Sequence, residues 1–316
     1  MIVYQANKAE FLLDFNDRDI EDVIHARYQA KTSRKVAPAE IRSWRESLGY
    51  VARVLSDPAI ADDVGVAIEF FLPQTAKRID VILAGHADDD SRRLIVVELK
   101  QWSSVDATDR DAIVLLRGGS RPDQVRIHPS YQAWSYTAFL EGFNEAVYDG
   151  GLQLRPCAYL HNYAADGVID APLYQPYIER APLFLKGDED RKRLREFIKQ
   201  HIRHGRGRQI LFDLEKGRLR PSKALADVVG KLLKGNEEFA LIDDQKMVFE
   251  AAKAACHKAN ASSKARVVII EGGPGTGKSV VAVNLLAALR EGLTVKYISK
   301  LSLIHISEPT RLRRIS

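Results

Sequence analysis

A glycine-rich stretch near the C-terminal end of the chain has the residue types and spacing of a phosphate-binding loop. It satisfies the pattern G-x-x-x-x-G-K-[ST] with Gly272, Gly273, Pro274, Gly275, Thr276, Gly277, Lys278 and Ser279. Glycine lets backbone N–H groups turn inward around phosphate oxygens, and a helix that starts near Lys278 adds its positive N-terminal end. Lys278 would contact the β- and γ-phosphates, and the Ser279 hydroxyl would bind Mg²⁺. The stretch therefore predicts a site for ATP and Mg²⁺.

Two acidic residues and a lysine lie on two consecutive strand-like segments. Asp80 stands inside the apolar run Ile79–Leu83, and Glu98 and Lys100 follow in the run Val96–Lys100. Strand alternation puts Glu98 and Lys100 on one face, and a hairpin partner can bring Asp80 beside Glu98. Two neighbouring carboxylates suit Mg²⁺, which lowers the pKa of a bound water and stabilises charge at a scissile phosphate. We expect Asp80 and Glu98 to bind the metal and Lys100 to position or polarise the water.

Three further residues extend this cluster. Glu69, on the segment before Asp80, could supply a third carboxylate. Gln132 and Tyr136 form a Q-x-x-x-Y pattern, one helical turn apart and so on one face of a helix. The alternative is a half-exposed hairpin with ordinary surface charges, but an unpaired acid within an apolar strand, such as Asp80, would be costly. The cluster is therefore a candidate catalytic site.

The order D…E-x-K followed by Q-x-x-x-Y resembles the PD-(D/E)xK nuclease superfamily, specifically its RecB/Cas4-like branch. The resemblance covers about residues 67–136. The resemblance implies that Asp80 and Glu98 are metal ligands and that Lys100 is catalytic. It also implies that Gln132 and Tyr136 support the site or contact DNA. One departure from the pattern of some relatives is that no clear histidine precedes Glu69.

A glutamine upstream of the glycine-rich loop is a candidate for base recognition. The stretch 241–246 reads Leu-Ile-Asp-Asp-Gln-Lys and resembles the Q-motif that precedes the P-loop in superfamily 1 helicases. In that motif a glutamine reads the adenine edge with its paired donor and acceptor, so the resemblance makes Gln245 the candidate. A glutamine at a helix start is also common without such a role.

The elements that would position these residues follow from the hydrophobic pattern. The first sixty residues have helical spacing, as in Ile20, Val23 and Ile24. Short runs rich in Val, Ile, Leu and Phe then predict strands at Val66–Leu72, Arg78–Leu83, Leu94–Leu99 and Pro156–Leu160. Further helices are predicted at Tyr131–Tyr148, Asp190–His204, Leu225–Leu233 and Lys278–Arg290, with a basic turn at Gly205–Arg208. Around the glycine-rich loop, strands are expected at Val267–Glu271 and Thr294–Ser299.

These elements predict an α/β fold. We expect a PD-(D/E)xK-like α/β domain over residues 1–186 and the truncated start of a P-loop, RecA-like helicase domain over residues 237–300. A basic helical connector over residues 187–236 would join the two. The order of motifs over about residues 1–300 also resembles the bacterial DUF2075 proteins, whose helicase part is the Schlafen group 3-like DNA/RNA helicase domain. The pieces that match are Ile68–Phe70, Lys77–Asp80, Glu98–Trp102, Pro221–Lys223 and Gly272–Ser279.

Composition and charge limit the class of protein and of partner. The chain has 316 residues, of which 46% are hydrophobic and 28% charged, as in soluble proteins of about two domains. It has neither a long apolar run nor a signal-peptide pattern, so no membrane is expected and a cytoplasmic location is. Its two cysteines, Cys157 and Cys256, lack metal-ligand spacing and are expected to be buried and reduced.

The net charge of +5, with a pI near 9.0, is compatible with a polyanionic partner. Residues Asp188 to Lys223 contain twelve Lys and Arg against six Asp and Glu, which exceeds the excess of the whole chain. This basic segment is either a nucleic-acid contact or a solvated helix face with a linker. DNA is favoured over RNA as the partner.

The sequence changes character from about Leu301, and residues 301–316 resemble translated sequencing-adapter tails. We expect this tail to be non-native, with a native basic tail as the alternative. The second Mg²⁺-binding acid, the residue that orients water, the arginine finger and the second motor lobe would then be missing. Such a fragment is expected to bind nucleotide but to hydrolyse it poorly or not at all.

Three functions follow from these features. The favoured one is an ATP-dependent helicase or translocase fused to a Mg²⁺-dependent nuclease, acting in DNA repair, restriction or defence. In the second, the nuclease-like domain has lost turnover and serves as a nucleic-acid clamp that binds through Arg191–Arg220. In the third, the chain is a nucleotide-switch ATPase without a nucleic-acid partner. The sequence sets no oligomeric state.

Overall fold

The structure is a computed structural model, and it describes residues 1–118, 122–222, 240–273, 276–290, 292–296 and 298. The predicted helix Leu225–Leu233 and the predicted tail 301–316 lie outside these ranges. The architecture is mixed α/β, as predicted. Within the described ranges, none of the helices combines the length and the apolar character needed to cross a membrane.

A mixed sheet of six strands forms the centre of the N-terminal region in the described residues. Its strands are, in spatial order, β1 (Ile2–Asn7), β2 (Gly65–Phe71), β3 (Arg78–His86), β4 (Arg92–Lys100), β8 (Gln153–Leu160) and β9 (Leu183–Phe184). The first four strands are antiparallel, and β8 and β9 are added in parallel. The strands predicted at β2, β3, β4 and β8 are confirmed. The expectation that the first sixty residues are helical is wrong for β1, because this segment pairs with β2 across sixty residues of chain.

Helices cover both faces of the sheet, so the fold has three layers. One face packs against α1 (Lys8–Asp17), α2 (Ile20–Thr32), α3 (Pro38–Leu55) and α7 (Asp188–His201). The other face packs against α4 (Pro129–Phe143), α5 (Glu145–Tyr148) and α8 (Gly207–Lys216). Strand alternation divides the apolar side chains between these layers. Val81 and Leu83 lie in the first core, whereas Ile82 and Ala84 lie in the second.

A smaller antiparallel sheet lies between β4 and α4 in the chain. It consists of β5 (Val105–Ala107), β6 (Ile113–Leu116) and β7 (Gln124–Ile127). Its buried residues Val105 and Val114 pack with Tyr163 and Tyr174, whereas Ile113 packs with Tyr177 of α6 (Gln175–Arg180) in a separate small core. This sheet and α4 form the long connection that the parallel pair of β4 and β8 requires.

Two helices of the predicted connector pack directly on the large sheet. Leu194 and Ile198 of α7 lie in one core, and Ile210 and Leu214 of α8 lie in the other. Helix α8 is an addition to the predicted elements, since the predicted turn Gly205–Arg208 already contains its first residues. Its start approaches β2 closely, because a Cβ on Gly65 would lie 2.8 Å from the backbone of Gly207. The predicted domain boundary at residue 186 remains a prediction.

The described C-terminal residues contain α9 (Asp244–Ser262) and α10 (Lys278–Leu289), which pack against each other. The strand predicted at Val267–Glu271 is wrong in this structure, because residues 264–273 pair with none of the described strands. The side chains of Val267 and Ile269 are 87% and 80% exposed. A strand needs a partner for its N–H and C=O groups, and no described residue supplies one here. The described residues of the predicted strand Thr294–Ser299 also form no strand.

The two cysteines differ in their surroundings. Cys157 lies on β8 with its side chain buried in the core, and burial raises the pKa of its thiol. Cys256 lies on α9 and is half-buried, so the expectation that both cysteines are buried is wrong for Cys256. Both are free.

Candidate functional site

The register of the large sheet brings the predicted acids next to one another. Val81 of β3 pairs with Val97 of β4, so one residue further along places Asp80 opposite Glu98. Glu69 of β2 and Asp80 face each other between the pairs Ile68–Val81 and Phe70–Ile79. The three acids therefore occupy consecutive positions across β2, β3 and β4. The carboxylates come from three separate segments of the chain, and the pairing of the strands brings them together.

Glu98 is the most buried acid of this cluster, with 2% of its surface exposed. Its Oε1 accepts a hydrogen bond of 2.6 Å from Lys100 Nζ, while its Oε2 is buried without a partner. Burial raises the pKa of Glu98 well above that of an ordinary glutamate, the charge of Asp80 adds to this increase, and Lys100 opposes it. The site therefore holds more negative charge than Lys100 can balance when both acids are ionised.

Asp80 is half-buried and is fixed by the backbone of the neighbouring strand. Its Oδ2 accepts a hydrogen bond of 2.7 Å from the N–H of Leu99. Burial raises the pKa of Asp80, while Lys100 and the Leu99 N–H lower it. Burial also lowers the pKa of Lys100, but the charges of Glu98 and Asp80 outweigh this effect and leave that pKa raised. Lys100 is thus held as a cation beside the two acids.

Glu69 lies in this row of acids, but its oxygens already have partners. Trp44 Nε1 of α3 donates a hydrogen bond of 2.8 Å to Oε1, and Arg78 Nη1 lies 2.9 Å from Oε2. The backbone of Glu69 has a φ of 56°, which is uncommon for a residue with a side chain. Burial and the charge of Asp80 raise the pKa of Glu69 to about 7. Glu69 and Asp80 both line a cavity of about 250 Å³ beneath α3.

The predicted Q-x-x-x-Y pair lies on α4, which starts at Pro129 and is capped by the side chain of His128. Gln132 Nε2 donates a hydrogen bond of 2.8 Å to the hydroxyl of Tyr136, as expected for side chains one helical turn apart. Tyr136 is 1% exposed, and burial together with the charges of Glu98 and Asp243 raises the pKa of its hydroxyl. The pair therefore belongs to the electrostatic surroundings of Glu98.

Asp243 is an acid of this site that the sequence analysis did not assign to it. Its Oδ2 accepts a hydrogen bond of 2.6 Å from the Tyr136 hydroxyl and lies 3.3 Å from Lys77 Nζ. Its Oδ1 is buried without a partner, and its backbone φ is 40°. It stands immediately before α9, within the stretch that predicted a role for Gln245. In the sequence it has the appearance of an ordinary helix cap, and it is the hydrogen bond with Tyr136 that identifies it as part of the site.

The donor set fits a magnesium ion bound by two carboxylates. Mg²⁺ commonly uses one or two carboxylates and keeps several of its waters. Within the described ranges no group of three or more His, Cys, Asp or Glu side chains could hold a metal ion. Asp80 and Glu98 are then the candidate ligands, and the unpartnered Oε2 of Glu98 is an acceptor that a cation would satisfy.

The described part of the glycine-rich loop leads directly into α10. Lys278 Nζ donates hydrogen bonds of 2.7 Å to the carbonyl oxygens of both Gly272 and Gly273. Thr276 Oγ1 donates one of 2.9 Å to the Gly273 carbonyl. Ser279 is exposed in the first turn of α10, and the N-terminal turn of a helix is where backbone N–H groups can bind an anion. Pro274 and Gly275 of the predicted loop lie outside the described residues.

Gln245 contacts this loop. Its Nε2 donates a hydrogen bond of 3.2 Å to the carbonyl of Thr276, and its Oε1 accepts one of 3.3 Å from the N–H of Ile242. Gly277 has a φ of 84°, and a Cβ at that position would lie 2.3 Å from Gln245 Nε2. The structure thus brings the predicted glutamine to the loop, and glycine at position 277 leaves the space that it occupies.

The basic segment from Asp188 to Lys223 is largely engaged in ion pairs in its described part. On α7 the basic side chains pair within the helix, as Arg191 does with Asp188 and Arg193 with Asp190. Others pair with distant acids or carbonyl groups: Arg195 with the carbonyls of Arg53 and Val54, Lys199 with Asp57, Arg203 with Asp88, and Arg208 with Glu10. These contacts favour the interpretation of this segment as a solvated surface of the N-terminal region.

A family model for the Schlafen group 3, DNA/RNA helicase domain matches residues 265–302, which include the glycine-rich loop and α10. The match begins after α9 and so leaves out the acidic site. Comparisons with curated proteins and with solved structures returned no match.

Proposed function

We propose that this chain belongs to an ATP-dependent nucleic-acid enzyme, a helicase or translocase of the DUF2075 type with an N-terminal Mg²⁺-dependent nuclease domain. It would act on DNA in repair or defence. The match of residues 265–302 to a helicase domain supports the nucleic-acid and nucleotide-binding part of this proposal. The acidic site supports the nuclease part.

One observation carries the nuclease part of the proposal. Glu98 is 2% exposed, lies next to Asp80 and Lys100, and has one oxygen without a partner. An acid that only supported the fold would be expected to have both oxygens satisfied, because an unpaired buried polar atom costs about 1–3 kcal/mol. A divalent cation bound by Glu98 and Asp80 would remove this cost.

The residues of the site would divide the work of phosphodiester hydrolysis. Mg²⁺ at Asp80 and Glu98 would supply Lewis acidity and a water of lowered pKa. Lys100, already charged and hydrogen-bonded to Glu98, would orient that water or contact the phosphate. Gln132 and Tyr136 would hold the wall of the site through their hydrogen bond, and Gln132, the less buried of the two, would be the one to contact DNA.

The test is a nicking assay on supercoiled plasmid DNA with Mg²⁺ or Mn²⁺. We expect Asp80→Asn and Glu98→Gln each to lower the rate by at least about a hundredfold, the range found for loss of a group that activates a nucleophile. Asp89→Asn is the matched control, because Asp89 lies in the exposed β3–β4 loop. Wild-type rates in both site variants would refute the nuclease proposal. Salt-dependent DNA binding without cleavage would instead support the clamp function.

A further inference from the structure

A second cavity, of about 400 Å³, opens beside the glycine-rich loop. Part of its lining comes from the loop and α10, through Thr276 and Lys278, and part from α9, through Gln245 and Val248. A further part of the lining comes from the N-terminal region, through Arg34 and the β2–β3 turn that ends at Lys77. A cavity of this volume lies within the range that small-molecule ligands occupy.

The charges around this cavity come from both regions of the chain. Asp244 and Glu271 line it and would repel the phosphates of a nucleotide. Lys77 and Arg34 offset this repulsion from the N-terminal side. Lys77 Nζ lies 2.9 Å from Asp244 and 3.3 Å from Asp243, and about a third of its side chain is exposed. A nucleotide entering the cavity would therefore meet cations that the P-loop pattern does not contain.

Polar groups of the loop and of Gln245 could bind a nucleotide. The Lys278 ammonium is held by carbonyl oxygens of its own loop, which a phosphate would replace as acceptors. Gln245 lines the cavity and makes two long hydrogen bonds, to Thr276 and Ile242, so that its second N–H and its second lone pair remain for a base. Val248 and Val281 add apolar lining suited to a planar ring.

We propose that the N-terminal region forms part of the nucleotide site, with Lys77 and Arg34 contacting an adenine nucleotide whose phosphates lie on the P-loop. This inference rests on the proposed ATP binding at Gly272–Ser279 and adds two binding residues from outside that motif. Neither residue belongs to the P-loop pattern, and both lie more than 190 residues away from it in the chain.

The same lysine connects the nucleotide cavity with the acidic site. Lys77 pairs with Asp243, and Asp243 accepts the hydrogen bond from Tyr136 beside Glu98. A nucleotide that draws Lys77 toward its own oxygens would weaken the pair with Asp243 and alter the charge that Glu98 experiences. On this proposal, occupancy of the cavity would be coupled to the state of the acidic site.

The experiment measures the affinity of the whole chain for a fluorescent ATP analogue in the presence of Mg²⁺. We expect Lys77→Met to weaken binding about tenfold, as for the loss of one charge-assisted hydrogen bond. Arg34→Met should weaken it about threefold, because Arg34 is exposed and its charge is screened. Lys77→Arg should restore most of the affinity, since it keeps the charge. Lys192→Met on the exposed face of α7 is the matched control.

The outcomes separate this inference from the proposed function on which it rests. Lys278→Ala tests the P-loop itself and should abolish binding. If Lys278→Ala abolishes binding while Lys77→Met and Arg34→Met stay within twofold of the wild type, the contribution of the N-terminal region is refuted and the P-loop site stands. If the wild-type chain binds no ATP, both proposals fall. Thermal unfolding of each variant shows whether a loss of affinity reflects a loss of folding, and Arg34, exposed and outside the helices, provides the safer substitution.

Discussion

The acidic site and the glycine-rich loop differ in how the chain builds them. The acids come from β2, β3, β4 and the residue before α9, and all but the half-buried Asp80 are buried among groups that also hold the sheet together. The loop comes from one short stretch, is exposed in its described part, and is held by hydrogen bonds within itself and to Gln245. Changes in the acidic site should therefore alter stability as well as chemistry. Changes in the loop should alter binding and leave stability almost unchanged.

The difference also concerns how each site is charged before a ligand binds. In the acidic site, burial raises the pKa of Glu69, Asp80 and Glu98, and repulsion between the acids adds to this increase. In the loop, Lys278 is satisfied by neutral carbonyl groups. A cation would stabilise the first site and an anion the second. This complementarity suits an enzyme that acts on nucleic acid with Mg²⁺ and ATP.

The largest effect is expected from the pH dependence of stability, through Glu69. Its pKa in the folded chain is about 7, against an ordinary value of 4.5. The folded state therefore binds this proton more tightly than the unfolded state. This proton therefore contributes up to about 3 kcal/mol to the free energy of unfolding. The contribution is fully present below pH 4.5 and is lost as the pH rises toward 7. Glu98 acts in the same direction.

Urea unfolding between pH 4.5 and pH 8, followed by tryptophan fluorescence, measures this slope, and Trp44 beside Glu69 provides a local signal. Glu69→Gln should flatten the slope, because the amide keeps an acceptor for Trp44 and cannot ionise. Glu46→Gln, at an exposed position on α3, should leave the slope unchanged. Equal slopes in the wild type and in Glu69→Gln would show that folding does not raise the pKa of Glu69.

An intermediate effect is expected at the loop, from Gly277→Ala. A methyl group at this position would lie 2.3 Å from Gln245 Nε2, and the φ of 84° is strained for alanine. We expect the affinity for ATP to fall by about tenfold to a hundredfold, in line with a strain of about 1–3 kcal/mol. The unfolding of the large sheet should not change. Gly292→Ala is the control, because a Cβ there meets open space.

A large loss of stability in Gly277→Ala, without a loss of affinity, would reverse the comparison between the two sites. It would mean that the contact between Gln245 and the loop serves folding rather than binding. Unchanged affinity and unchanged stability together would mean that the loop rearranges freely around position 277.

The parts of both sites that depend on local pattern could be predicted from the sequence. Alternation of apolar residues identified β3 and β4 with Asp80 and Glu98 in them, and helical spacing put Gln132 and Tyr136 on one face. The side chain of Gln245 contacts the loop whose presence made it a candidate. In each case the residues that decide the element are neighbours in the chain.

The remaining parts depend on pairing across long stretches of chain. Strand β1 forms because β2 is available as its partner, which no window around Ile2–Asn7 shows. Asp243 enters the acidic site through a hydrogen bond with Tyr136, 107 residues away. The predicted strand Val267–Glu271 has the β-branched residues of a strand, yet no described segment pairs with it. Local residue propensity indicates which segments can form strands, and the presence of a pairing segment determines which of them do.

The smallest effect is expected at Val267, for which Val81 in the core of the large sheet provides the comparison. Val267 is 87% exposed, whereas Val81 lies in the core of the large sheet with 1% exposed. Val→Thr replaces a methyl group by a hydroxyl of similar size in both places. We expect Val267→Thr to change the free energy of unfolding by less than about 0.5 kcal/mol, as for an exposed position. Val81→Thr should cost about 1–3 kcal/mol, because it buries a hydroxyl.

Urea unfolding of both variants measures these energies, and light scattering follows aggregation in the same samples. Because Val267 belongs to an exposed apolar run, Val267→Thr should also lower the tendency to aggregate. A cost above about 1 kcal/mol for Val267→Thr would mean that residues 264–273 pack against the rest of the chain in solution. The glycine-rich loop would then share the stability of the sheet, and the contrast between a buried acidic site and an independent phosphate loop would no longer hold.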